Sequence, residues 1–210
     1  MSQSNDLALV PRSARAIVFM LVALVLYTFA DLGTKEWALS ALSKERAGEL
    51  PAVCEPDEQG YMRMQRLPVG STVVIPEYLE FRYAENCGAA FGMLRTAPSW
   101  VRALVFGLAG LGACVVLTTM FVRGVGGRLF ELSVPLVLSG AIGNLSDRVR
   151  HGFVVDFIRF HIKNSWEYPT FNVADISIAV GVGLLLLDGI KKQPSPAKAA
   201  PRETESPGVG

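Results

Sequence analysis

Two aspartates in apolar sequence are the residues most suited to chemistry. Asp156 lies in "VVDFI" and Asp175 in "FNVADISI". If the two carboxylates meet, they share a proton, because like charges a few ångströms apart cannot both ionise. One acid can then act as the base for a water and the other as the acid for a leaving amine, as in an aspartic protease. For the acids to meet, the chain must fold back over residues 160–170.

Each aspartate also has a simpler interpretation, which the sequence leaves open. Asp175 can be an acid of a first helical turn, favoured by the helix dipole, with Asn172 as the N-cap. Asp156 can be the single outward-facing acid of a half-buried strand or helix end.

Other polar residues stand at the ends of apolar runs. Asp31 and Lys35 end the first run, and Asn144, Asp147 and Arg148 end the third. Ionisable side chains at membrane depth are costly and usually functional. The alternative is an i,i+4 ion pair of Asp31 with Lys35 and an interfacial anchor formed by Asp147 beside Arg148.

Two segments rich in small residues each carry one amide side chain. "NCGAAFG" (86–92) contains Asn86, and "SGAIGNLSDR" (139–148) contains Asn144. Small residues permit close backbone approach between membrane helices or beside a ligand. We expect Asn86 and Asp156 to lie in loops on the same side of the membrane as the other polar residues.

The composition favours a membrane protein of one domain. Of the 210 residues 50% are hydrophobic and 19% charged, and the mean hydropathy is +0.35. A net charge of +1 argues against a nucleic-acid partner, which requires a basic surface. Three cysteines match no zinc pattern, and two histidines are too few for most metal sites. We therefore do not expect a metalloenzyme.

The apolar runs predict four transmembrane helices. The clearest run, residues 103–122, has no charge over a length that crosses a bilayer. The other three are shorter and reach that length with their polar end residues; they are residues 16–30, 132–146 and 176–187. A cleaved secretory signal is the alternative for the first run, but helical character continues through "ADLGTKEWALSAL".

The predicted fold is a mainly α membrane protein with four transmembrane helices and a small β-containing extracytoplasmic cap. Residues 1–15 form a cytoplasmic segment, 16–190 the membrane domain, and 191–210 a disordered tail. The cap belongs to the loop 36–98, where alternating apolar residues predict one or two short strands interrupted at Pro76. Basic residues at several helix ends favour cytoplasmic termini, although other basic residues on the opposite side weaken that count.

The sequence resembles lipoprotein signal peptidases, also called signal peptidase II, which are bacterial membrane aspartic peptidases. The resemblance rests on four blocks in the family's order: "DLGTK" (31–35), "NCGAAFG" (86–92), "GNLSDRVRHGFVVDFI" (143–158) and "FNVADISI" (171–178). It extends over residues 16–190 and includes the four predicted spans.

The resemblance implies an activity and a set of site residues. Such a peptidase removes the signal peptide of a diacylglyceryl-modified prolipoprotein just before the lipidated cysteine. The enzyme would be a monomer in the bacterial inner membrane, with both termini cytoplasmic and its site near the outer face. It would need no metal and no cofactor, and globomycin would inhibit it. Asp156 and Asp175 match the catalytic pair. The supporting active-site or substrate-binding positions would be Asn86, Gly88, Asn144, Arg148, Asn172, Asp31 and Lys35.

Two features depart from the family pattern. Cys87 stands where a small hydroxyl residue is usual, and residues 52–67 look like an insertion in the outer loop. Cys54 and Cys87 would both face an oxidising compartment, so a disulfide between them is one possibility. The alternative function is a non-catalytic four-helix membrane protein, either a transport subunit or a lipid-binding module.

Overall fold

Four long helices build the body of the protein, as far as the structure describes it. The computed structural model describes residues 10–88, 98–163 and 165–191, and the predicted tail lies almost wholly outside this part of the chain. All four helices are long and apolar enough to cross a membrane, as predicted. Their bounds are Ala14–Leu42 (α1), Ser99–Val122 (α2), Arg128–His151 (α3) and Val173–Lys191 (α4). The first helix continues to Leu42, as the sequence pattern indicates.

The outer faces of the helices are apolar and bare, as in proteins that face lipid. Large hydrophobic side chains project from α1, α2 and α4, among them Leu26, Phe29, Leu108 and Leu186. A bilayer core offers no partners for free backbone groups, so helices with all their internal hydrogen bonds made are one of two architectures that span it. The polar residues must therefore be held between the helices.

Helix α3 lies at the centre, packed against α1, α2 and α4. Glycines permit its close approach to α4. A side chain at Gly140 would meet the Ala174 carbonyl oxygen at 2.5 Å, and one at Gly181 would meet Val137 at 2.6 Å. The interpretation of "SGAIGNLSDR" as a close-packing segment is confirmed.

In the part of the chain that the structure describes, six short strands form a cap at one end of the helices. Strands β1 (Ser43–Glu45) and β2 (Arg66–Pro68) pair with each other, and β3 to β6 form an antiparallel sheet in chain order. The bounds of these four strands are Ser71–Ile75, Leu79–Asn86, Val154–Ile162 and Trp166–Glu167. The predicted strands on either side of Pro76 are confirmed, with the turn at residues 76–78.

The prediction that Asn86 and Asp156 lie in loops is wrong. Asn86 ends β4, and Asp156 lies within β5, where it is paired with Ala84. The run "VVDFIRFHI" supplies β-branched and aromatic residues that suit a strand, and β4 offers it a partner. The expected reversal over residues 160–170 occurs as the hairpin from β5 to β6, after which Phe171 returns to pair with Ile158.

A buried cluster joins the cap to the helices. It contains Ala38 and Leu42 from the end of α1, Tyr83 from β4, and residues from β5 such as Val155 and Phe157. The Tyr83 hydroxyl donates to Glu85, 3.0 Å away, and burial raises the pKa of this phenol, so the buried hydroxyl stays a donor. The cap is thus seated on α1 through packed apolar side chains.

A disulfide between Cys54 and Cys87 fastens the apparent insertion to the cap sheet. The Cα atoms of the two residues are 5.3 Å apart. Cys54 is buried in the cluster below the cap, and Cys87 directly follows β4. The pairing that the sequence left open is therefore made.

Prediction for helix packing: Gly140→Val will lower the melting temperature of the purified protein, because its side chain would overlap the α4 backbone. Overpacking of this kind costs about 1–3 kcal/mol. Gly183→Val is the matched control, since a Cβ at Gly183 meets no atom within 4 Å. Equal melting temperatures for the two variants would show that α3 and α4 are not in close contact.

Candidate active site

Asn172 joins the two aspartates that the sequence singles out. Its side-chain amide donates to Asp156 Oδ1 over 2.7 Å, and its backbone N–H donates to Asp175 Oδ2 over 3.2 Å. Asn172 is fully buried, with no exposed surface. Both carboxylates therefore accept hydrogen bonds from one buried residue.

The start of α4 explains how Asp175 is held. Asn172 Oδ1 accepts from the Asp175 backbone N–H at 3.0 Å, while the Asp175 carboxylate accepts from the Asn172 N–H. Such a reciprocal pair satisfies two free N–H groups of a first helical turn. The capping interpretation of Asp175 and Asn172 is thus correct, and it coexists with their place beside Asp156.

Asp156 is placed by β5 and by the end of β4. Its flanking residues Val155 and Phe157 are buried, and Asp156 itself is only 2% exposed. Asn86 Nδ2 donates to Asp156 Oδ2 over 3.0 Å, and Asn86 Oδ1 accepts from the Gly88 backbone N–H at 3.1 Å. The interpretation of Asp156 as a water-facing acid is wrong, because the strand turns it inward.

Burial raises the pKa of Asp156 to about 8, and the neighbouring charge of Asp175 acts in the same direction. Hydrogen bonds from Asn86 and Asn172 oppose this effect, as does the positive charge of Lys35. The loss of water around the carboxylate outweighs them. Asp156 therefore holds a proton at neutral pH.

Lys35 lies between two buried carboxylates beneath the aspartate pair. Its ammonium is 2.8 Å from Asp31 Oδ2 and 3.2 Å from Asp147 Oδ2, and it donates to Asn144 Oδ1 over 2.9 Å. The predicted i,i+4 ion pair with Asp31 is present, but Asp147 pairs with Lys35 rather than forming an anchor with Arg148. Sequence adjacency suggested the wrong base because neighbours on a helix point in different directions.

The two buried carboxylates also bind the backbone. Asp31 Oδ1 accepts from the Ala174 N–H at 2.8 Å, and Asp147 Oδ2 accepts from the Val155 N–H at 2.9 Å. Ala174 and Val155 immediately precede Asp175 and Asp156 in the sequence. The ion pairs of Lys35 therefore fix the backbone beside each member of the aspartate pair.

Asn144 connects the lysine group to the aspartate pair. Its Oδ1 accepts from Lys35 and, at 3.2 Å, from Asn172, while its Nδ2 donates to Asp175 Oδ1 over 2.8 Å. Arg148, one turn later on α3, donates to the Asn144 carbonyl at 3.2 Å and stacks its guanidinium over Phe106.

A cavity of about 390 Å³ opens beside this network. Asp175, Asn144, Arg148, Asn86 and Gly88 all line it. Its remaining lining residues are mostly apolar and come from α2, β5, α4 and the segment before α4: Phe106, Val154, Tyr168, Pro169, Thr170, Phe171, Ile178 and Ala179. The cavity thus offers Asp175 to a ligand, while Asp156 lies deeper.

All nine residues predicted for the site lie in this network or at its cavity, but two others were missed. Asp147 received only the anchor interpretation, and Gly143 received no role at the site. A side chain at Gly143 would stand 2.2 Å from Asp31 Oδ2, so only glycine leaves room for that carboxylate. Gly140, Gly143, Asn144 and Asp147 follow helical spacing along one face of α3, a signal that was available in the sequence.

Within residues 10–88, 98–163 and 165–191, no three acidic, histidine or cysteine side chains come together in a group that could hold a metal ion. The polar groups at the site are carboxylates, amides and two cations.

The sequence pattern of one protein family, described as signal peptidase (SPase) II, matches residues 21–191. The chain belongs to the signal peptidase II family. It is therefore an enzyme, a membrane protease of that family, as the four sequence blocks indicate.

Related proteins and solved structures agree with this membership. The lipoprotein signal peptidases of Salmonella newport (strain SL254) and Salmonella typhi are each 39% identical over 141 residues, covering 67% of this chain and 84% of those proteins. A bacterial membrane enzyme solved by the in meso method at 2.3 Å resolution is 25% identical, with a TM-score of 0.58 over 87% of this chain and 96% of that one. A second, solved at 1.9 Å, shares the fold, with a TM-score of 0.60 and 24% identity over 84% of this chain and 96% of that one.

Prediction for the ion-paired lysine: Lys35→Ala will lower the melting temperature more than it lowers turnover per folded molecule. The change leaves Asp31 and Asp147 buried without their cation, which costs about 3–5 kcal/mol in typical buried pairs. Lys44→Ala, which removes an exposed lysine, is the control. Lost turnover at an unchanged melting temperature would mean that Lys35 acts in the chemistry rather than in the fold.

Proposed function

We propose that the protein is an aspartic endopeptidase that removes signal peptides from diacylglyceryl-modified prolipoproteins. It would cleave before the lipidated cysteine by means of a water activated between Asp156 and Asp175. Membership in the signal peptidase II family supports the substrate class. The observation that carries the mechanism is the hydrogen bonding of both carboxylates to the buried Asn172.

The surroundings of the two acids assign them different roles in this proposal. Asp156 is the buried member and begins the reaction protonated. Asp175 faces the cavity at the N-terminus of α4, where the helix dipole favours a negative charge. Asp175 is accordingly the base that takes a proton from the attacking water.

In this mechanism, Asp156 and Asp175 accept and return every proton that is transferred. Water adds its oxygen to the scissile carbonyl carbon and gives one proton to Asp175, while Asp156 gives its proton to the carbonyl oxygen. When the tetrahedral intermediate collapses, the carbon–nitrogen bond breaks and the leaving amine takes the proton held by Asp175. The proton of the intermediate's hydroxyl returns to Asp156, so the pair regains its starting state.

The neighbouring polar residues support the pair in distinct ways. Asn86 and Asn144 each donate to one carboxylate and keep its orientation. Arg148 and the Gly88 backbone line the cavity, where they can contact the substrate peptide. The Lys35 and Asp31 ion pair holds α1 against the start of α4 and serves the fold.

The location of the polar residues supports a membrane-surface enzyme with a site near the outer face and both termini in the cytoplasm. The network lies where α1 and α3 approach the cap and where α4 begins. Arg12, at the opposite end of the helices, donates to Val125 and Gly126 and pairs with Glu131. Basic residues gathered at that end agree with the bias of cytoplasmic segments.

Prediction for the acid pair: Asp156→Asn and Asp175→Asn will each reduce cleavage of a diacylated prolipoprotein about 10²–10⁴-fold, the usual effect of losing an acid–base group. Cleavage is read as a gel shift with purified enzyme, with and without globomycin. Asp57→Asn, the same change at an acid of the cap away from the pair, is the control. Wild-type rates in either variant would show that the dyad assignment is wrong.

Prediction for pH: kcat will fall as the pH rises through about 8, because Asp156 then loses the proton that it must donate. The raised pKa also makes folding stability depend on pH. The contribution of Asp156 to the free energy of unfolding is fully present below pH 3.8, its ordinary pKa, and is lost as the pH rises toward about 8. Asn86→Ala removes a hydrogen bond that lowers this pKa, so the alkaline limb will move to higher pH. An alkaline limb that is unmoved in Asn86→Ala would contradict the role given to Asp156.

A further inference from the structure

We propose that the Cys54–Cys87 disulfide positions Asn86 against Asp156, so that full activity requires the oxidised form of this cysteine pair. The inference rests on the proposed aspartic mechanism for its effect on catalysis. Its structural part, the positioning of Asn86, can be tested without any substrate.

Cys87 is the central residue of the turn that aims the Asn86 side chain. Asn86 Oδ1 accepts from the backbone N–H of Gly88 at 3.1 Å, and Asn86 Nδ2 donates to Asp156 Oδ2 over 3.0 Å. The turn thus fixes which side-chain atom faces the carboxylate. A covalent bond at Cys87 acts directly on this geometry.

The pairing of β4 with β5 ends at Asn86. Asn86 is the last residue of β4 and is paired with Val154, so Cys87 and Gly88 lie beyond the pairing. Among the described residues, the disulfide is the covalent link from the tripeptide 86–88 to a distant part of the chain. Restricting the freedom of a positioned group is one way in which a site stays close to its reactive geometry.

The other end of the disulfide is held by two rigid parts of the molecule. Cys54 is a buried member of the cluster below the cap, which also contains Phe153 and Val155. Its carbonyl accepts a hydrogen bond from Arg102 of α2. The disulfide therefore ties Asn86 to the cap core and, through Arg102, to a membrane helix.

A reducing agent acts on one disulfide in this protein, the Cys54–Cys87 bond. The sequence has three cysteines, and Cys114, the third, is a free thiol within α2. A dithiol such as dithiothreitol reduces the Cys54–Cys87 bond with two electrons and two protons and is itself oxidised to a cyclic disulfide. Its effect on the folded protein reports on this bond.

The first experiment measures cleavage of a diacylated prolipoprotein by the Cys54→Ser/Cys87→Ser variant and by wild-type protein treated with dithiothreitol. We expect kcat to fall about tenfold in both, within the range for loss of one positioned hydrogen bond. Cys114→Ser is the matched control and should keep the wild-type rate. Reoxidation of the treated wild-type protein with glutathione disulfide should restore activity.

A pH profile separates positioning from a loss of folded enzyme. When Asn86 no longer holds its hydrogen bond, the alkaline limb will move to higher pH, as in Asn86→Ala. The charged groups that face Asp156 from the other elements are Asp175 of α4, Lys35 of α1 and Arg148 of α3, and all remain present in the variant. A lower rate with an unmoved limb would overturn the positioning role.

Hydrogen exchange tests the same claim without catalysis. Reduction should speed exchange in a peptide that contains the Gly88 amide, while a peptide from α3 is unaffected. Unchanged exchange at Gly88 would refute the proposal even if activity fell. If oxidised wild-type protein cleaved no prolipoprotein, the proposed function would fail, and the exchange result would still decide whether the disulfide orders Asn86.

Discussion

The buried ammonium of Lys35 is the interaction on which the site depends. Taking a charge out of water is expensive, and it is tolerated here because Asp31 and Asp147 lie within ion-pair distance and Asn144 accepts a hydrogen bond. The same carboxylates accept from backbone groups of α4 and β5. One cation therefore sets the relative position of a membrane helix and a strand of the cap.

The charge balance of the network follows from this arrangement. Four carboxylates face two cations, Lys35 and Arg148, and a proton on Asp156 leaves one unbalanced negative charge. Of the four carboxylates, Asp175 is the one that lines the cavity, at the N-terminus of α4. The apolar surroundings of Asp156 keep water away from its carboxylate, whereas Asp175 lines the cavity.

Much of the fold and the site could be predicted because the signals were local. Unbroken apolar runs specify the spans, and the acids of "VVDFI" and "FNVADISI" stand out from their neighbours. The role of Asp147 was not local, since its base, Lys35, belongs to another helix and the adjacent Arg148 points elsewhere. The sequence left a strand around Asp156 as an alternative to a loop and could not decide between them, because the pairing partner β4 lies far away along the chain.

The disulfide shows a different limit of sequence reasoning. Spacing could not decide whether Cys54 and Cys87 form a disulfide, because the chain between them passes through β2, β3 and β4. Only the folded cap brings Cys54 under the end of β4.

Asn172 begins α4, caps its first turn and holds both aspartates. A mutation of Asn172 would therefore affect both the capping of α4 and the hydrogen bonds to the aspartates. Bacteria exposed to an inhibitor of this enzyme would therefore rarely become resistant by substitution of Asn172. Such a substitution would disturb the start of α4 as well as the aspartate site.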